Sequence, residues 1–188
     1  MRDWDELYHA CRNCKSCNLY QTRKNVVIGM GNRDADVMLI GEAPGRQEES
    51  IGLPFAGAAG MLLDKMVASI GWSRDQVYIA NVVKCHPPKN RDPLKAEVDA
   101  CMNHLRHQVR FVKPKFIICL GRIAAQAVID PNFLITAQRG QWFEKKGYLM
   151  TAIYHPSSLL RDESKKQPAW EDLKKIRKRY DQYLKTGQ

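Results

Sequence analysis

The sequence predicts an α/β protein: a three-layer α/β/α sandwich around a four-stranded parallel sheet. Three observations carry this. Short apolar runs of strand length recur along the chain: VMLIG (37–41), VYIANVV (77–83), FIICL (116–120) and a run ending at Ile153. Segments with helical apolar spacing alternate with them. The runs are apolar on both sides of the pleat, as in strands covered by helices on two faces. The 188 residues suit one hydrophobic core, so a single domain over 1–188 with a cysteine-bearing N-terminal segment is expected.

In chain order, Asp3–Ala10 is a short helix leading into CRNCKSC, and Val26–Gly29 is a short strand candidate. Val37–Gly41 is a buried strand, followed by GEAPG and a loop rich in glycine and acids that runs to Phe55. Gly57–Ile70 is a helix with Met61, Leu62, Met66 and Ile70 on one face, and Gly71 suits its end. Val77–Val83 is the second core strand. After HPPKNRDP, a helix carries Val98, Cys101, Met102, Leu105 and Val109 at helical spacing. Phe116–Leu120 is the third core strand and turns through Gly121 into helix Arg122–Ile129. Tyr148–Ile153 is the fourth and ends at YHPSSLLR. The last helix opens at Pro168, with Trp170, Leu173, Ile176 and Tyr180 inward.

Composition excludes several classes. Apolar residues are 44% and charged residues 27%, so wholesale disorder is out. No apolar run approaches the length of a membrane span, and no membrane partner is expected. The N-terminal MRDWDELYHA lacks the apolar stretch of a secretory signal, which makes the cytoplasm the expected address. Thirty Lys and Arg against twenty Asp and Glu give +10. That excess suits a polyanion, nucleic acid above all, although a basic solubility surface gives the same number.

Six cysteines stand at 11, 14, 17, 85, 101 and 119. Without an export signal a disulfide framework fits poorly, and C-x2-C-x2-C points to metal or cluster ligation. Cys119, inside FIICL, reads as a small core residue. Ligands of open parallel sheets bind at the carboxyl ends of strands. That rule draws together GEAPG, Asn81 late in the second core strand, and His155 just after the fourth. GEAPG lacks the Lys-Ser/Thr of a phosphate-binding loop, which argues against a nucleotide-binding protein.

The same residues carry a likeness. GEAPGRQEESIGLPFAGAAGMLLD, NVVKCHPPKNRDP and YHPSSLLR, in that order, resemble the family 4 uracil-DNA glycosylases, the iron–sulfur type, from about Cys14 to the C-terminal helix. The resemblance implies an enzyme that flips uracil out of DNA and hydrolyses its N-glycosidic bond, releasing free uracil and leaving an abasic site. It implies Cys14, Cys17, Cys85 and Cys101 as ligands and a [4Fe–4S] cluster as cofactor. Four thiolates taken alone suit zinc equally. Cys11 lies outside the simple pattern and leaves open which pair of the triplet serves.

The resemblance also implies the roles around the base. Asn81 reads uracil, whose N3–H donor and O4 acceptor match an amide. Phe55 stacks on the ring, and Glu48 crowds its C5 edge against thymine's methyl. His155 donates to O2 as charge develops there, aided by backbone amides near Glu42 and Ala43. Glu42 is the first candidate to orient the attacking water, with Glu48 second. In the loop after His155, Leu159 or Leu160 fills the gap left by the flipped base. Ser157, Ser158 and Arg161 hold phosphates, and Lys89 and Arg91 add phosphate contacts. The expected partner is uracil-containing DNA, bound by a monomer, with a sliding clamp as a further candidate. Two rivals remain. One is a non-catalytic metal-bearing DNA-binding protein, which has no need of Glu42, Asn81 and His155 together. The other is a relative that traps uracil-DNA covalently through a His-bearing basic insertion, absent from ITAQRGQW.

Overall fold

The computed structural model describes residues 1–187. Its centre is a sheet with strands β1 (Met30–Gly31), β2 (Val37–Gly41), β3 (Val77–Asn81), β4 (Phe116–Leu120), β5 (Phe143–Lys145) and β6 (Tyr148–Ile153). The spatial order is β1-β3-β2-β4-β6-β5. The α/β class is as expected, but the four-stranded sheet needs correction. β3, β2, β4 and β6 are mutually parallel, while β1 and β5 pair antiparallel at the two edges, making a mixed sheet of six. The edge strands are two and three residues long and partly exposed, so they lack the buried apolar run that marks the central four.

β2, β3 and β4 are buried at every position, because helices cover both faces. Successive side chains of a strand point to opposite faces. Val37, Leu39, Val77, Ile79, Phe116 and Ile118 accordingly pack with helices α3 (Ala58–Ala68), α7 (Pro156–Arg161) and α8 (Lys166–Thr186). Met38, Ile40, Tyr78, Ala80, Ile117 and Cys119 pack on the other side with α4 (Lys95–Val112) and α5 (Arg122–Val128). Helix α1 (Trp4–Arg12) begins at Asp3, whose carboxylate accepts from the Glu6 N–H at 2.9 Å, a side-chain N-cap. Short helices α2 (Arg46–Ile51) and α6 (Ile135–Gln138) complete the set. Among the described residues no helix is long and apolar enough to cross a membrane.

Several elements depart from the sequence reading. Residues 26–29 form no strand: Val27 N–H donates to Lys84 O and Ile28 O accepts from Gln108, so this buried extended segment is tied down outside the ladder. On α3 the inward face is Leu63, Met66 and Val67 with Ile70 beyond, whereas Met61 is 63% exposed. Positions 63, 66, 67 and 70 follow i, i+3, i+4, i+7 and form the better stripe. The segment after GEAPG contains α2, whose polar RQEESI shows no apolar period. Helix α8 opens two residues before Pro168, which sits in its first turn.

The loop after His155 is also helical, and it separates its two leucines. Leu159 is 2% exposed and belongs to the core face of α7, so it is corrected from candidate wedge to core residue; Leu160 is 50% exposed. Leu159→Ala should therefore cost about 2–5 kcal/mol of unfolding free energy in a urea titration. Leu160→Ala should stay within about 0.5 kcal/mol of the parent.

Candidate active site

The chain visits β3 on one side of β2 and then crosses to β4 on the other, so the sheet has a switch point at the carboxyl end of β2. A cleft of about 590 Å³ opens there. Its lining includes Glu42 and Ala43 after β2, Asn81 ending β3, Gly121 after β4 and His155 after β6. Glu48, Phe55, Arg91, Ser157, Ser158 and Arg161 also line it. The structure thus brings most of the expected site residues to one cavity. Leu159 and Leu160 are outside the lining, as is Lys89, which is exposed on the loop after β3 with φ +59°.

Asn81 is 2% exposed, and its Oδ1 is buried without a hydrogen-bond partner. An unpaired buried acceptor is costly, which marks this oxygen as one awaiting a donor. Phe55 stands beside it, its backbone in the left-handed region at φ +52°. The Phe55 carbonyl accepts from Arg74 Nη2 at 2.5 Å. Gly60 packs so closely that a Cβ there would collide with this carbonyl. These contacts hold a conformation that a phenylalanine otherwise avoids. The ring stacks near His155, with centroids 5.6 Å apart and planes 30° apart.

His155 caps α7. Its Nδ1 accepts from the Ser157 N–H at 3.1 Å, and the Ser157 hydroxyl lies 2.7 Å from the same atom. Accepting a backbone N–H requires a bare Nδ1, so in the neutral ring the proton sits on Nε2. Burial, and after it the charge of Arg161, lowers the His155 pKa to about 4. Both serine hydroxyls serve this residue, since Ser158 Oγ donates to the His155 carbonyl at 2.8 Å.

Glu42 is the opposite case. Burial and then Asp92 push its pKa up to about 7, while Arg122 and Arg161 pull it down. Its ionisation is therefore poised near neutrality, where a carboxylate can assist proton transfer. Glu48 turns back on its own loop: Oε1 accepts from the Gly57 N–H at 3.1 Å, which ties α2 to the start of α3 at the cavity rim. Arg91 is held bidentately by Glu97 at 2.9 and 2.7 Å. Arg122, which the sequence reading passed over, pairs with Asp92 at 2.6 Å beside the cavity.

The cysteines gather elsewhere, on the α4 side of the sheet. Cys11, Cys14, Cys17, Cys85 and Cys101 line one small cavity, with Arg23, Lys84 and His104. All are free thiols. Arg23 Nη1 lies 3.6 Å from Cys85 Sγ, and the Lys84 N–H donates to Cys101 Sγ at 3.3 Å. Burial raises the thiol of Cys85, takes that of Cys101 up to about 11 and that of Cys11 up to about 12. Bare, these groups stay protonated, and a bound cation would ionise them. Among the described residues no three His, Cys, Asp or Glu groups close around a single ion. The donor set, with cationic and N–H groups beside the sulfurs, suits a thiolate-bound group. His104 is 8% exposed beside this cavity. It falls on the buried stripe of α4 with Cys101, Leu105 and Gln108, whereas His107, one turn later, is half-buried off that stripe.

A slot with an unpaired amide oxygen, an aromatic ring and a neutral imidazole has the shape and polarity to suit a flat nitrogenous base. Comparison with known proteins agrees. The family model described as the Uracil DNA glycosylase superfamily matches residues 28–174. A type-4 uracil-DNA glycosylase of Archaeoglobus fulgidus is 42% identical over 184 residues, covering 94% of this chain and 92% of the relative. That of Sulfurisphaera tokodaii is 43% identical over 186 residues, covering 94% and 84%. That of Thermotoga maritima is 40% identical over 172 residues, covering 88% of each. The chain belongs to the type-4 uracil-DNA glycosylases.

The histidine assignment can be measured directly. An NMR titration of labelled His155 should show the Nε2–H tautomer and a midpoint near 4 instead of the ordinary 6.5. Because the unfolded chain takes up this proton first, the residue's contribution to stability is full above 6.5 and falls as pH drops toward 4. A midpoint near 6.5 would contradict the assignment.

Proposed function

We propose that the cleft excises uracil from DNA by hydrolysis, yielding free uracil and an abasic site. The observation that carries this is the unpaired, buried Asn81 Oδ1 facing the same slot as Phe55 and His155. Extruded from the stack, uracil gives its N3–H to that oxygen. Cytosine has a bare N3 there and would leave acceptor against acceptor, a large penalty in a buried slot. Phe55 stacks on the base, worth about 1–3 kcal/mol. Glu48 walls the side where thymine carries its methyl.

As the C1′–N1 bond breaks, its electron pair passes to uracil and negative charge gathers on O2. His155 donates Nε2–H to that charge, which a neutral ring does without first binding a proton. Glu42, ionised, orients water toward C1′; the water's hydroxyl bonds to the sugar and its remaining proton goes to the departing base. Every group in this scheme comes from one copy of the chain, which supports a monomer as the working unit. Leu160, exposed on α7, fills the vacated position in the duplex, while Arg161 and Lys89 hold phosphates. Cys14, Cys17, Cys85 and Cys101 would hold a [4Fe–4S] cluster that ties the N-terminal segment to the loop after β3 and to α4.

Two experiments test this reading. A uracil-containing oligonucleotide, treated with enzyme and then alkali, should be cut at uracil alone. His155→Ala should cost about 10²–10³ in kcat, and Glu42→Gln less. The wild-type kcat/KM should fall below about pH 7, and Glu42→Gln should lower the rate while flattening this limb. An unchanged limb would remove Glu42 from the role. For the cofactor, the purified protein should be brown with absorbance in the visible blue and should bleach on iron chelation. A colourless zinc-containing protein would overturn the cluster assignment.

A further inference from the structure

We propose that Lys84 is a positioning residue for uracil recognition, holding the Asn81 peptide at the pocket and joining it to α4 on the cysteine side. The inference rests on Asn81 reading the base.

Lys84 is 1% exposed, a side chain whose charge must find partners inside the protein. Its Nζ donates to the Asn81 carbonyl at 2.6 Å and to Gln108 Oε1 at 2.5 Å. Gln108, fully buried on α4, is itself fixed: its Nε2 donates to Ile28 O at 2.8 Å and to the Tyr78 hydroxyl at 3.0 Å. The main chain of Lys84 is equally engaged. Its N–H donates to Cys101 Sγ, and its carbonyl accepts from the Val27 N–H at 2.9 Å. One residue thus ties together the end of β3, the middle of α4 and the segment before β1.

The grip on Asn81 is specific in its consequence. The peptide unit joining Asn81 to Val82 is planar and moves as one body. Its N–H end is held by the Gly41 carbonyl at 2.9 Å. Its C=O end is held by Lys84 Nζ, so the two bonds together fix the plane's rotation. Asn81 Oδ1 has no partner of its own. The direction of the reading oxygen is set by this backbone and by packing against Gly41 and Phe55. A methionine at 84 would fill the volume without burying a charge; only the ammonium adds the hold on the peptide.

The test compares Lys84→Met, Gln108→Met, Gln108→Glu and Asn81→Ala with the parent. It reads kcat on a uracil-containing duplex, inhibition by free uracil, and Kd for a uracil-free duplex. Lys84→Met and Gln108→Met should each weaken uracil inhibition and lower kcat by about tenfold, equal to 1.4 kcal/mol, with Kd for uracil-free DNA unchanged. Gln108→Glu keeps an acceptor for Nζ while losing the N–H donor to Ile28 O, and should retain more of both than Gln108→Met. If Lys84→Met does not fold, the two Gln108 variants decide. Parental uracil inhibition and kcat in the methionine variants, beside a loss of both in Asn81→Ala, would overturn the inference and leave the base-reading role standing. Unaltered inhibition in Asn81→Ala would overturn both.

Discussion

The pocket depends on an absence of atoms at position 41. A Cβ on Gly41 would collide with Asn81 Oδ1 and stand 2.7 Å from Phe55 Cζ. Gly41 ends β2, and Asn81 is its register partner on β3, so the ladder sets their backbones side by side. Without a side chain at 41, the amide from β3 and the ring from the α2–α3 connection share one slot. Any other residue would push one of them out of it. Interior packing leaves no slack for such a shift, because the strands below are buried on both faces.

A slot built this way carries stability costs that the rest of the fold offsets. Asn81 Oδ1 is left without a donor, Phe55 is held at positive φ, and burial opposes the charged forms of both Glu42 and His155. Each feature is unfavourable to folding and useful to a site that must meet a ligand already shaped for it. The two titratable groups are displaced in opposite directions relative to neutral pH. Burial favours the neutral ring of His155 and draws the ionisation of Glu42 toward neutral pH. A donor and a carboxylate can therefore coexist without first exchanging a proton.

Much of this was legible in the chain because the central strands are continuous apolar runs. Phe116–Leu120 and Tyr148–Ile153 have the bounds read from sequence, and the polar residues that follow the parallel strands were placed at the pocket by the carboxyl-end rule. What escaped was set by tertiary contact. α2 is polar and has no period to see. Leu159 and Leu160 are adjacent and chemically alike, and only the seating of α7 buries one and exposes the other. His104 and Lys84 are of residue types that usually face solvent, yet both are interior beside the cysteine cavity. Cys11 joined that cavity as well, and sequence spacing alone could not assign it a place.

The net charge is the instructive partial reading. A count of +10 suggests a surface crowded with phosphate contacts, but the geometry commits several of those cations elsewhere. Arg91 is clamped by Glu97, Arg122 by Asp92, Arg139 by the buried Asp172, and Lys84 is wholly interior. A cation already paired with a carboxylate must break that pair before it can displace a counterion from DNA, so it contributes less to the salt dependence of binding than a free one. The charge that can act at the cavity mouth is thus concentrated on Arg161. Its exposed guanidinium also bears on the ionisation of Glu42 and His155. One cation at the end of α7 thus favours the carboxylate of Glu42 and the neutral ring of His155 together.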